Sequence, residues 1–302
     1  EAYSLLKNRK GLDNDAMAVV FDEWNGGELD SFLIEITANI LRFRDEDGKP
    51  LLDKILDVAG QKGTGKWSAI AAMDENDPLT LITEAVYARL LSALYSERVK
   101  AARLYSGKLK VESGKLSDNS QLSTSNAQLS TFNFQLSIED VRQALYAAKL
   151  VSYAQGFSLL RRASEHYGWD LDYGTIARIW RKGCIIRSVF LQKITDAYRK
   201  EPDLENLLFD DFFHSKIQDA LPAWRRIVAE GALSGVALPA MSSSLSYFDG
   251  LRTLHSAANM IQAQRDYFGA HTYERTDRER GHFFHTNWTG EGGNTISGTY
   301  SV

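Results

Sequence analysis

The segment Gln61-Lys62-Gly63-Thr64-Gly65-Lys66-Trp67 concentrates groups that hold anions. Glycines let backbone N–H groups approach a ligand closely, lysines bring charge, and threonine adds a hydroxyl donor. Gly60 to Lys66 also satisfies the G-x-x-x-x-G-K spacing of a nucleotide-binding loop. Such a loop needs Ser or Thr next, to reach magnesium, and a strand before it. Here Trp67 follows, and Leu51 to Ala59 reads as helix. Spacing alone leaves two readings, an anion-binding loop and a glycine-rich connector with solvated lysines. Arg89 sits in the helical pattern that follows, among Val86, Leu90 and Ala93. An arginine so placed is more often snorkelling or ion-paired than a ligand contact.

A second polar cluster runs from Gln262 to Thr272 and includes Arg265 and His271. By periodicity alone it is a solvated helix terminus. His282 and His285 flank Phe283-Phe284 at a spacing that could hold a metal on a helix. The segment has no helical pattern and no evident third ligand, so no metal site is expected. Cys184 lies on an apolar stretch and reads as core, with no histidine nearby to activate it. As the single cysteine it excludes an intrachain disulfide or a multi-cysteine zinc site, and it fits a reducing compartment such as the cytoplasm.

The elements that must position these groups are helical. The chain has 302 residues, 44% hydrophobic and 25% charged, with only 5 prolines. That is the composition of a globular, helix-rich chain. A net charge of −4 gives no basic excess for nucleic acid or anionic membrane. No apolar run approaches the ~18 residues of a membrane span. The spacing predicts helices over Ala16–Trp24, Leu29–Leu41, Leu51–Ala59, Pro78–Leu104, Val141–His166, Tyr173–Trp180 and Ile185–Arg199. Two more follow, Leu207–Ala229, broken near Leu221-Pro222, and Ala240–Phe268. Asp77-Pro78 reads as a helix start with Asp77 as cap, and Ser137 to Asp140 as a capping box. The chain opens inside a helical pattern, with no Met and no N-cap, so it reads as part of a longer chain.

Val111 to Leu136 repeats the triplet Gln-Leu-Ser every seven residues. Ser, Thr and Asn dominate it, so a mobile polar loop is expected rather than a coiled coil. An internal repeat underlies the rest. Tyr3–Lys7 matches Phe157–Arg161, Val20–Trp24 matches Ile176–Trp180, and Trp67 with Pro78 matches Trp224 with Pro239, at offsets of 154 to 161. The expected organisation is a first helical unit at 1–110, an inserted loop at 111–136, a second helical unit at 137–280 and an extended tail at 281–302.

Five strings carry a resemblance: QKGTGKW (61–67), GCIIRSVFL (183–191), LLFDDFF (207–213), QAQRDYFGAHTYE (262–274) and HTNWTG (285–290). In this order, over almost the whole chain, they resemble the C-terminal helical domain of 6-phosphogluconate dehydrogenase, the decarboxylating enzyme of the pentose phosphate pathway. The resemblance implies an all-α fold, a large internally duplicated helical domain whose extended C-terminal tail threads into the partner of a homodimer. It implies oxidation of 6-phosphogluconate at carbon 3 with NADP, loss of carbon dioxide and formation of ribulose 5-phosphate. The family's base and acid lie in a Lys…His-Asn-Gly-Ile-Glu-Tyr segment that this chain lacks, so no catalytic residue is expected here. NADP is expected to be bound mainly by an N-terminal domain, also absent, leaving the fragment alone inactive. For substrate binding the resemblance implies Lys62, Thr64 and Arg89, with Arg265 and His271 lent to the other subunit's site. The alternative is a stand-alone, non-catalytic helical dimerisation module.

Overall fold

In the computed structural model the described residues are 1–105 and 136–290; the loop expected over 111–136 lies outside them except for its last residue, Leu136. Among the described residues there are twelve α-helices and two strands of two residues each. The chain divides into two compact units, Glu1–Tyr247 and Phe248–Val302.

The first unit is organised by one long helix. Its opening helices are α1 (Ala2–Asn8), α2 (Asn14–Asn25), α3 (Phe32–Arg42), α4 (Thr64–Asp74), α5 (Thr80–Ala93) and α6 (Tyr95–Tyr105). Then come α7 (Ile138–Tyr167), α8 (Tyr173–Ile179), α9 (Leu191–Lys200), α10 (Asp211–Ser234) and α11 (Pro239–Leu251), the last crossing into the second unit. The thirty-residue α7 starts where Ser137 Oγ accepts from the Asp140 amide at 2.8 Å and ends at Gly168, φ +65°. Both ends follow capping chemistry. Its buried stripe of Val141, Ala144, Ala148, Val151 and Phe157 recurs at helical spacing and packs chiefly against α10. Phe157, Phe190, Phe213 and Trp224 are among the largest fully buried side chains of this core. The Glu1 carboxylate accepts from the Ala240 and Met241 amides at 2.7 and 2.9 Å, so an acidic side chain remote in sequence caps α11.

Two helix hairpins, α2–α3 and α8–α9, meet at their turns. Val189 donates to the Asp30 carbonyl at 3.0 Å and Phe32 to the Arg187 carbonyl at 3.3 Å, around a bridge between Ser31 and Ser188. These pairs are separated by 155 to 159 residues, within the offset of the sequence repeat.

Several expected elements differ from those observed. Leu51–Ala59 holds only a 3-10 turn, Leu51–Lys54, because Asp53 is drawn to Lys7 and Asn14 instead of capping a helix. The helix expected over Pro78–Leu104 is two, interrupted at Leu94, whose ψ of 48° is not helical. Beyond the break, Arg98 reaches back to Asp57 at 2.7 Å, a distant contact that redirects α6. Asp77 does not cap α5, which begins at Thr80. The Asp77 carboxylate is buried against Ser158 at 2.6 Å and Arg162 at 3.2 Å. Ile185–Arg199 is helical only from Leu191, because the backbone at 187–189 serves the inter-hairpin pairing. Cys184, in that irregular stretch, is half-buried rather than core. The α10 helix runs through Pro222 unbroken, with Ile217, Ala220, Trp224 and Ile227 buried on either side. Packing there outweighs a local cost of about 3 kcal/mol.

In the second unit, the helix expected over Ala240–Phe268 is interrupted at 252–257 and resumes as α12 (Ala258–Gly269). After α12, β1 (Tyr273–Glu274) pairs antiparallel with β2 (Phe283–Phe284), Tyr273 opposite Phe284. The tail therefore begins as one edge of a hairpin. Among the described residues no helix is long and apolar enough to cross a membrane.

Candidate anion site

The loop at 59–64 and helix α5 are joined by their own side chains. The Arg89 guanidinium donates to the Gly60 carbonyl. Ser92 Oγ accepts from the Ala59 amide at 2.9 Å and donates to the Arg89 carbonyl at 2.7 Å. The helix thus returns to the loop, as the assignment of Arg89 beside Lys62 and Thr64 requires. Arg89 has five N–H donors, so one bond to Gly60 leaves others for a ligand.

Thr64 is the first residue of α4, and Gly63 precedes it with φ +106°. Only glycine adopts that angle without strain. No side chain caps this N-terminus, so its first amides keep the partial positive charge that favours an anion. Gly65 has a separate cause: a Cβ there would lie 2.8 Å from Val86 Cγ2, so its absence lets α4 and α5 close on one another. Lys62, Thr64 and Arg89 are all exposed.

The α4–α5 pair has little core of its own, with Ala72 and Val86 as its buried members. It is held from α7. Buried Gln155 accepts from the Leu81 amide at 3.1 Å and donates to Thr80 Oγ at 2.8 Å, performing the capping expected of Asp77. A cleft of about 430 Å³ between α4 and α5 takes in Gln61, Lys66, Ile70, Met73 and Tyr87, but not Lys62, Thr64 or Arg89. It is largely apolar and distinct from the cationic rim.

The second unit carries Arg265 and His271. Gln262 links them: its amide donates to the Thr272 carbonyl at 2.6 Å and its oxygen accepts from Arg265 at 3.2 Å. Between them Ala270 sits in the left-handed region, φ 50°, and its N–H bonds the Asp266 carbonyl at 2.9 Å. A Cβ at Gly269 would lie 2.9 Å from the His271 ring, so glycine is required for that ring position. Asp266 is fully buried and accepts from His285 Nδ1 at 2.9 Å, the Thr286 amide at 3.0 Å and Trp288 Nε1 at 2.8 Å. Burial pushes its carboxyl up, but the Thr286, His285 and Trp288 donors together hold it below the ordinary aspartate range. His285 is thus engaged with a carboxylate, and no cluster of three metal-binding side chains occurs among the described residues.

The sequence pattern gives no fastening role to Gln155 or Asp266, and places Gln262 only at the start of a polar cluster. Asp266 stands beside Arg265 in a string that periodicity classes as solvated, and nothing local marks it as the buried member.

The profile described as "6-phosphogluconate dehydrogenase, C-terminal domain" matches residues 1–288. The decarboxylating 6-phosphogluconate dehydrogenase of Rattus norvegicus is 54% identical over 302 residues, covering 100% of this chain and 59% of the relative. That of Homo sapiens is 52% identical over the same shares. Among solved structures, the Plasmodium falciparum 6-phosphogluconate dehydrogenase, described apo, with its cofactor NADP+ and with its substrate 6-phosphogluconate, superposes with a TM-score of 0.83. It is 42% identical, over 95% of this chain and 58% of that one. This chain therefore spans about three fifths of the curated relatives it matches.

Proposed function

The chain belongs to the 6-phosphogluconate dehydrogenase family through its C-terminal domain, and from that premise we propose that it supplies the substrate-phosphate grip of a decarboxylating 6-phosphogluconate dehydrogenase. In this reading Lys62, Thr64 and Arg89 hold the phosphate of 6-phosphogluconate, and Arg265 and His271 complete the grip in a partner subunit. The observation that carries it is the return of Arg89 to the Gly60 carbonyl beside the uncapped start of α4. A phosphate dianion needs several donors at one point, and this arrangement brings a guanidinium, a lysine, a hydroxyl and helix amides to one loop.

The coenzyme of the reaction is NADP, which when bound takes up the hydride released from the substrate. Among the described residues the two strands are two residues long, and neither opens through a glycine-rich turn into a helix. They do not form a dinucleotide cradle. In this reading NADP is held mainly by the part of the relatives that this chain does not span, and the catalytic lysine and glutamate lie there too. The role of this chain's own residues is to anchor the phosphate end so that carbon 3 is presented to groups held elsewhere.

We also infer a homodimer of this chain, working in the cytoplasm. Its support is the apolar surface left uncovered: Trp67, Leu91 and Ile185 are each more than half exposed, and Phe283 and Trp288 of the tail are exposed as well. The repeat offset shared by the paired hairpins supports a duplicated helical unit.

The deciding experiment is Arg89→Ala in the intact enzyme. It should lower kcat/KM for 6-phosphogluconate by roughly 10- to 150-fold, the worth of a charged hydrogen bond of about 1.5–3 kcal/mol, with the KM for NADP little changed. Unchanged substrate kinetics would remove Arg89 from the site.

A further inference from the structure

The last turn of α12 and the segment after it form a closed circuit. The chain leaves α12 at Gly269, turns through left-handed Ala270, passes His271, runs out along β1 and returns along β2. It closes where His285, Thr286 and Trp288 converge on Asp266. Asp266 is the single residue of α12 that is buried. Among the described residues the circuit from Gln262 to Trp288 buries no apolar side chain, and Phe268 and Phe283 both face solvent.

A buried carboxylate is a costly way to join two segments, because well-packed apolar side chains would hold them as firmly. What the carboxylate adds is direction. Three donors from a backbone amide, an imidazole and an indole can reach its two oxygens in one register only. A left-handed, non-glycine residue such as Ala270 persists when its surroundings over-determine it. The segment that contains Ala270 and His271 is bounded at its start by the backbone bond from the Ala270 N–H to the residue 266 carbonyl, which any residue would supply, and the Asp266 carboxylate ties the returning chain at Thr286 to the same point.

We propose that Asp266 is a positioning residue for phosphate binding: by clamping the segment after β2 onto the end of α12, it fixes the circuit that holds Arg265 and His271 at the spacing a phosphate needs. The carboxylate itself does not touch the ligand, from which its negative charge would be repelled. The proposal rests on the reading that Arg265 and His271 belong to the substrate site.

The test compares Asp266→Asn, Trp288→Phe and Arg265→Ala in the intact enzyme, measuring KM for 6-phosphogluconate, KM for NADP, kcat, inhibition by inorganic phosphate and melting temperature. Asp266→Asn should raise the substrate KM about tenfold or more and weaken phosphate inhibition in parallel, with the NADP KM within about twofold of wild type. Trp288→Phe keeps an aromatic ring but removes one donor, and should shift the same two quantities in the same direction by less. It decides the matter if Asp266→Asn does not fold. If Arg265→Ala raises the substrate KM while folded Asp266→Asn, or Trp288→Phe in its place, leaves it unchanged, the site stands and the positioning role is wrong. A lowered melting temperature with no split between substrate and coenzyme KM likewise overturns the role, leaving Asp266 a structural clamp. If Arg265→Ala itself leaves the substrate KM unchanged, the site reading fails and the proposal fails with it.

Discussion

In Glu1–Tyr247 the candidate phosphate residues ride on a loop and two helices held to a large apolar core, whereas in Phe248–Val302 they ride on the end of α12 and the turn after it, a circuit closed by one carboxylate. The first arrangement places Lys62 in the loop before α4, and Thr64 and Arg89 on α4 and α5, a pair of helices with little buried surface, tied to α7 by Gln155. The second places Arg265 and His271 around Gln262 and Asp266, with no apolar side chain buried between Gln262 and Trp288 among the described residues. The core gives stability without much directional information, since many apolar packings have similar energies. Hydrogen bonds to a buried acceptor give direction with modest net stability. A ligand-binding side chain needs direction, so both regions use a buried polar group at the last step, Gln155 in one and Asp266 in the other.

The sharpest way to expose the difference is to remove core volume from the first unit. Trp224 is fully buried and donates its indole N–H to the Met241 carbonyl at 3.0 Å. Trp224→Ala should cost about 3–5 kcal/mol, read as a fall in the urea midpoint. Hydrogen exchange at the Thr286 amide, in the second unit, should change far less than exchange in α7. Equal loss of protection at both places would mean that the two regions unfold as one.

A smaller effect is expected at Gln155. Gln155→Leu leaves the Leu81 amide without its acceptor and should cost about 1–3 kcal/mol. Because α5 carries Arg89, the substrate KM should rise as well. A loss of stability with substrate binding intact would show that the loop, and not α7, sets the position of Arg89.

Different in kind, and spread over a pH range, is a pH dependence in the first unit. Lys149 Nζ donates to Ser31 Oγ at 3.0 Å and lies 5.6 Å from the centre of the Phe190 ring. Burial lowers its pKa from 10.5 to about 8, opposed by the charge of Asp30. Between those values the unfolded chain holds a proton that the folded chain has released, so this group makes stability rise with pH from about 8 towards 10.5. Lys149→Met should flatten that rise in urea titrations, and an unchanged slope would show that the ammonium is well solvated.

The smallest effect concerns the tail. Phe283 is 64% exposed, so Phe283→Ala should change the stability of an isolated chain by no more than about 0.5 kcal/mol. If the tail threads into a second copy, the same substitution should weaken the dimer in light scattering at low concentration. A dimer of unaltered affinity would argue against a threaded tail.

The elements legible in the sequence were those whose signals are local. Ser137 caps α7 as its side chain and spacing require, and Val141 through Phe157 bury the face that their period marks. The glycine loop was legible as a break rich in glycine and lysine, but the helix α4 that starts at Thr64 was not, because its apolar residues show no strong helical stripe. Pro222 misled, because a local penalty was compared with no estimate of the packing that surrounds it. Asp77 misled in the same way: its sequence position suits a cap, but Ser158 and Arg162, some eighty residues on, offered its carboxylate a better place.

The sequence by itself determined the helical class, the glycine- and lysine-rich character of the 60–66 loop and the family to which the chain belongs. Each is written in residue types at short spacing, which local sterics and charge interpret without help. The tertiary structure alone decided which polar side chains became buried fasteners. Gln155, Gln262 and Asp266 resemble many exposed residues of the chain until a distant segment arrives to cover them. Their role depends on the partner that burial supplies, and burial is a property of the whole fold.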